Sequence, residues 1–266
     1  MQTIRYNMPT AAFRVSVSNT AGCIFWYRGD TVKKRVFYTE LSYLVGIAVI
    51  ALGTALTAWG DFGISMVVAP AFVLHLKMSQ VWPWFTFGVA EYVLQAFVLL
   101  LMMCLLRRIK ISYFLSFFTA IFYGLVLDAG TALLSLLSAP VLWQRLTAYI
   151  VGDLGICAGV ALVFHTYLPP EAYELFVMEL SGKLRIRLAV FKTCYDCASL
   201  VVAVVMSFLL LGSLQGVGVG TVVCALINGT LINLFSQLYE RIWKFEDKFA
   251  LRGKLQESEE HNEQKI

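Results

Sequence analysis

Charge is what this sequence has least of. Of its 266 residues only 14% are Asp, Glu, Lys or Arg, and more than half of those fall in residues 1–40 and 241–266. Histidine occurs three times, at His75, His165 and His261, too scattered for a zinc centre. The six cysteines lie in no secreted-scaffold spacing, so no disulfide framework is expected. CYDC (Cys194–Cys197) has no second Cys or His pair to complete a tetrahedral site, and its thiols read as small residues of an apolar helix. P-loop, serine-triad and HExxH patterns are missing, which argues against ATP-driven transport by this chain alone and against intramembrane proteolysis. These absences predict no enzyme, no metal and no cofactor. No secretory leader is expected either, because the first long apolar run begins only at Leu41.

What fills the chain instead is hydrocarbon. Fifty-nine per cent of residues are hydrophobic, and the mean hydropathy is +0.74. A soluble domain of this length cannot bury so much apolar surface, so the lipid bilayer is the expected solvent. The basic balance, pI near 8.7, needs no nucleic acid, because Lys and Arg flank apolar runs. Six runs can cross ~30 Å of hydrocarbon, at about 41–59, 83–106, 111–137, 146–168, 187–211 and 217–240. Two shorter segments, about 62–79 and 170–182, read as re-entrant or interfacial helices. The expected architecture is therefore an all-α membrane protein. Residues 1–40 form a largely disordered cytoplasmic tail, 41–137 and 138–240 two membrane halves, and 241–266 a charged cytoplasmic tail.

Orientation follows from the basic residues. With the amino terminus inside, Arg28, Lys33, Lys34 and Arg35, then Arg107, Arg108 and Lys110, then Lys183, Arg185 and Arg187, and finally Arg241, Lys244 and Lys248 all fall on the cytoplasmic side. Only Lys77 and Arg145 fall outside. Trp59, Trp82, Trp84 and Trp143 mark the outer interface and Trp243 the inner one.

The two halves also resemble each other. A shift of 105 positions lays Glu91 on Asp196, Ala120 on Ala225, Gly124 on Gly229 and Asp128 on Asn233. AFVLHL (Ala71–Leu76) lies over LFVMEL (Leu175–Leu180) after a one-residue slip. Three spans per half is an odd number, so the second half inserts inverted, a design common among secondary transporters with a site near mid-bilayer. Glu91 and Asp196 each fall about eight residues from opposite ends of their spans, roughly 12 Å deep.

Each polar position has a functional and a structural reading. An acid inside a span usually faces a cavity or a partner. Glu91, with Gln95 one turn later, is either a pathway residue or a protonated carboxyl bonded to a neighbouring helix. Asp196 could bind solute or pair with Lys192 at i,i+4. Asp128 follows Gly124 in FYGLVLD, and Asp153 lies among the glycines of VGDLGICAG, where a helix-packing hydrogen bond is the plainer role. Asp61 marks the interruption WGDFGIS, and Glu171 follows two prolines in LPPEAYE, as helix cap or vestibule lining. GVGVGT (Gly216–Thr221) lacks the βαβ context of a nucleotide fingerprint; Gly220 and Thr221 either serve packing or offer amides to an anion. Asn228 and Asn233 close the candidate list in ALINGTLIN.

GDFG, FYGLVLD, PPE, YDCASLVVA and GVGVGT before ALINGTLIN stand in that order across residues 41–240. Together they resemble the YitT/YczE/YyaS-like group of bacterial integral membrane proteins. The resemblance implies a multi-pass protein of the bacterial cytoplasmic (inner) membrane, of permease-like class. Glu91 departs from it, standing where an amide is expected, as does the long amino-terminal segment. The functional expectation is a secondary transporter or permease for a small polar solute, cationic or zwitterionic because acids outnumber bases inside the spans, with a carboxylate serving for cation recognition or for proton coupling. The alternative is a non-transporting scaffold or regulator. The oligomeric state stays open, a homo-oligomer included.

Overall fold

The computed structural model describes residues 35–108, 110–137 and 141–247. The expected amino-terminal tail up to residue 34, with Arg28, Lys33 and Lys34, lies outside them, as do Lys248, His261 and most of the carboxyl-terminal tail. Eight helices follow in order: α1 (Thr39–Gly60), α2 (Ala69–Met78), α3 (Phe87–Leu106), α4 (Ile111–Ser135), α5 (Leu142–Val163), α6 (Ala172–Leu184), α7 (Leu188–Leu211) and α8 (Val219–Ile242). Six of them, all but α2 and α6, are long and apolar enough to cross a membrane. Their outward faces carry Phe118, Leu125, Leu209 and Leu226, each at least 60% exposed, which suits hydrocarbon and would not suit water.

Several boundaries differ from expectation, α2 starting only at Ala69 and α5 already at Leu142, and two more differ for local reasons. The third helix starts at Phe87 and not near residue 83, because Pro83 precedes it and the Thr86 hydroxyl accepts the Val89 amide (3.3 Å) as an N-cap. The fifth ends at Val163, and residues 164–171 become a non-helical descent ending at Pro169 and Pro170. One element was not expected at all. β1 (Arg35–Tyr38) runs directly into α1 and pairs in parallel with β2 (Trp243–Glu246), which leaves α8 directly. Aromatic side chains hold this ribbon: Phe37 stacks on Trp243 (4.9 Å) and Phe245 on His165 (4.5 Å). The start of α1 and the end of α8 therefore lie on one face.

At the centre α1 crosses α5 through glycines spaced seven apart, which is two helical turns. Gly46 meets Gly159, Gly53 meets Gly152, and Gly60 meets the Arg145 carbonyl. A Cβ added at Gly53 would stand 2.6 Å from the Gly152 carbonyl oxygen, and one at Gly152 would stand 2.7 Å from that of Gly53. That reciprocity places a two-fold relation at this crossing: the same surface of each helix packs on the other. The neighbours obey it. α4 packs on α1 as α8 packs on α5, and α2 packs on α7 as α6 packs on α3. The fold is two inverted three-span repeats, each with a short helix that does not cross.

Candidate functional site

The site is built on the descent into α6. Proline carbonyls have no amide beside them, so Pro169 and Pro170 bring acceptors into the interior that hydroxyls must meet. The Tyr43 hydroxyl donates to the Pro169 carbonyl (3.0 Å) and also pairs with Thr119; Ser116 donates to the Pro170 carbonyl (2.6 Å). Thus α1 and α4 pin the turn, and Glu171 emerges beneath it at the start of α6.

The Glu171 carboxyl caps nothing. Its Oε1 is sealed from solvent and has no hydrogen-bond partner. Burial first, then the negative charges of Glu174 and Glu91, push this carboxyl well above the usual carboxylate range. Glu91 on α3 is wholly buried: its Oε2 accepts from Tyr173 Oη (2.9 Å) and from Gln95 Nε2 (3.3 Å), while its Oε1 has no donor. Gln95 completes the link by accepting the Ala172 amide (3.3 Å). Glu91 and Gln95, one turn apart, therefore grip the first turn of α6. Towards the surface Glu174 lies 3.8 Å and Asp196 3.7 Å from the Lys192 ammonium. Glu174 links the carboxyl groups electrostatically, lying near Glu91, Glu171 and Asp196, with Tyr123, Tyr173 and Tyr195 beside them. Such a group of acids can hold a proton.

The remaining candidates lie elsewhere. Asp153 Oδ1 accepts from Cys224 Sγ (3.0 Å) and Asn228 Nδ2 (2.9 Å) across α5–α8, leaving Asn228 Oδ1 buried without a partner. Its repeat mate is the Tyr123–Thr54 bond (3.1 Å) across α1–α4. Asp61 sits at the left-handed end of α1 (φ 56°) and pairs with Arg145 (2.8 Å) at the surface. Gly220 and Thr221 belong to a tight seat: the Gly220 amide donates to the Phe62 carbonyl (2.9 Å) and the Gly218 amide to Thr221 Oγ1 (3.2 Å), so these donors are used inside the protein. A cleft of about 510 Å³ opens beside it, lined by Asp61, Phe72, Gln215 and Val219 among others. Asn233 is exposed on α8.

Asp128 holds α3 from α4. It accepts from Thr86 Oγ1 (2.6 Å) and the Gly88 amide (2.7 Å), satisfying donors that a helix start leaves over. Asp128→Ala should therefore lower stability by about 1.5–3 kcal/mol per lost charge-assisted bond, and Asp128→Asn by less, since one amide oxygen still accepts. Thermal melts of the two variants beside wild type measure the difference.

The structure thus gathers Glu91, Gln95, Glu171 and, through Glu174 and Lys192, Asp196; it leaves Asp61, Asp128, Asp153, Asn228, Asn233, Gly220 and Thr221 outside that group. Sequence reasoning passed over Tyr43, Ser116 and Tyr173. Their signal was hydroxyl groups within apolar helices, which is weak because a serine or tyrosine there most often bonds its own helix.

The fold and this interior acid group define a multi-pass helical membrane protein of inverted-repeat design. Within that class the chain belongs to DUF6198, a family of unknown function, whose family model matches residues 37–237. No curated protein and no solved structure matches it.

Proposed function

We propose that this protein is a secondary transporter that moves a small cationic or zwitterionic solute, coupled to protons, past Glu91 and Glu171. One observation carries the reading: two carboxylate oxygens, Glu91 Oε1 and Glu171 Oε1, are buried without any donor. An acid in that condition inside a bilayer is costly unless a proton or a cation visits it. The re-entrant approach of α6 supports the same view, because broken backbone at membrane depth persists where it lines a binding space. The membrane is the bacterial cytoplasmic one and the β1–β2 face is cytoplasmic, as the excess of Lys and Arg on that face suggests. The likeness to the YitT/YczE/YyaS-like group belongs to this proposal too.

Reconstitution tests it. Purified protein in liposomes should exchange at least one member of a panel of small amines and amino acids. Glu91→Gln should abolish the exchange with its fold intact, while Asp61→Asn, at the surface, should leave it unchanged. If no solute exchanges and none raises the melting temperature, the scaffold reading takes its place.

A further inference from the structure

Only one of the two symmetry-related helix hairpins is shut. In the first repeat, α3 and α4 close at the end remote from their connecting turn. Asp128 binds Thr86 and Gly88 there, a Cβ on Gly88 would strike the Gly124 carbonyl, and the Tyr92 ring covers Gly124. The shift of 105 positions carries Gly88, Tyr92, Gly124 and Asp128 to Thr193, Cys197, Gly229 and Asn233. Gly229, Cys197 and Asn233 do not form the contacts that their mates form. A Cβ on Gly229 would find nothing within 4 Å, Cys197 and Asn233 are exposed, and among the described residues α7 and α8 share no seam comparable to that of α3 and α4. The bare strip of α8 is unlike a lipid-facing one, since Gly229, Thr230, Asn233 and Gln237 are all exposed on successive turns. Amides facing hydrocarbon are costly, and small residues let another helix approach. In the first repeat Gly124 and Asp128, the mates of Gly229 and Asn233, are covered by the hairpin partner.

We infer that α7 and α8 close on one another into the seam that α3 and α4 form here, while α3 and α4 part. The two arrangements part the bundle at opposite faces, so that the carboxyl oxygens of Glu91 and Glu171, buried here, become approachable from one face or the other in turn. Because the repeats are inverted, the open end of the α3–α4 hairpin faces away from β1–β2, and that of α7–α8 faces towards it. The arrangement described is shut on the far side by Asp128 and parted on the β1–β2 side, where Lys192 and Asp196 stand near the start of α7. The purpose of the exchange rests on the transport reading; the closure is a property of the helices alone.

Cysteine pairing in native membranes tests it. Thr193→Cys is combined with Gly229→Cys in a chain that keeps only Cys157 and Cys224, both buried, and a parent without the pair sets the baseline. After mild oxidation and denaturation, a maleimide polymer counts the remaining thiols. The expected product is a monomer that has lost two thiols relative to its unoxidised form. A cross-linked dimer would mean that a second copy covers the strip, and a monomer retaining both thiols would mean that the hairpin stays parted; either overturns the inference. Native Cys197 with Gly229→Cys is the substitute pair if Thr193→Cys fails to express. Cross-linking without flux of any solute would leave the closure standing and remove the transport reading. Flux without cross-linking would do the reverse.

Discussion

Glu171→Gln is expected to abolish solute flux and, in the same protein, to raise the melting temperature in neutral and alkaline buffer. The two effects share one cause. In the unfolded chain this carboxyl ionises in the ordinary range, whereas in the folded chain burial, Glu174 and Glu91 hold the proton on to higher pH. Between those two values the folded state binds the extra proton, so stability falls as pH rises and remains reduced above the folded value. Below the ordinary range both states are protonated, and wild type and variant should melt alike. Glutamine never ionises and escapes the loss, but it can carry neither a proton nor a countercharge. Melting curves from about pH 4 to about pH 9, on either side of the reference value, measure the effect. Should Glu171→Gln melt below wild type throughout, the Glu171 oxygen is satisfied by something the variant has lost, and the orphaned carboxyl is not real. Lost function with gained stability is the usual signature of a strained working residue.

Gly53→Ala and Gly155→Ala should part company sharply, although both add one methyl group on the α1–α5 side of the bundle. At Gly53 the new Cβ would stand 2.6 Å from a backbone carbonyl oxygen and 3.0 Å from the Ile156 amide nitrogen, neither of which can swing away. The helices must separate along a crossing where Gly46 and Gly159 are equally close, so overpacking of about 1–3 kcal/mol or more is expected. Gly152→Ala meets the mirror-image clash and should cost as much. At Gly155 the nearest atoms are 3.9 Å away, an ordinary contact. There the loss of glycine's freedom in a helix should stabilise by about 0.5–1 kcal/mol. Melting temperature and monodispersity on a sizing column separate the outcomes. If Gly53→Ala melts with wild type, α1 and α5 are not as close as described.

How far the sequence alone reaches depends on the kind of force involved. Six spans, two short helices and the inversion were legible because hydrocarbon thickness and backbone satisfaction act on every residue of a segment at once. The positions of Glu91 and Asp196 stood out for the same reason, as charges in a place that excludes charge, whereas Glu171 was marked only by the two prolines before it. The parallel β1–β2 ribbon was not legible, since four-residue strands gain their stability from a partner more than 200 positions away. Nor were the roles of the acids. Asp128 and Glu171 look equally exceptional in the sequence, yet one is fully engaged at the start of α3 and the other has an oxygen with no partner. The glycines of VGDLGICAG were likewise indistinguishable until α1 was laid across them. Hydropathy and residue spacing determined that this chain crosses the bilayer six times in two opposed halves. Which acids are satisfied, which glycines are pressed against another backbone, and which hairpin stands open were decided only by tertiary packing, because each depends on contacts between residues far apart in the chain.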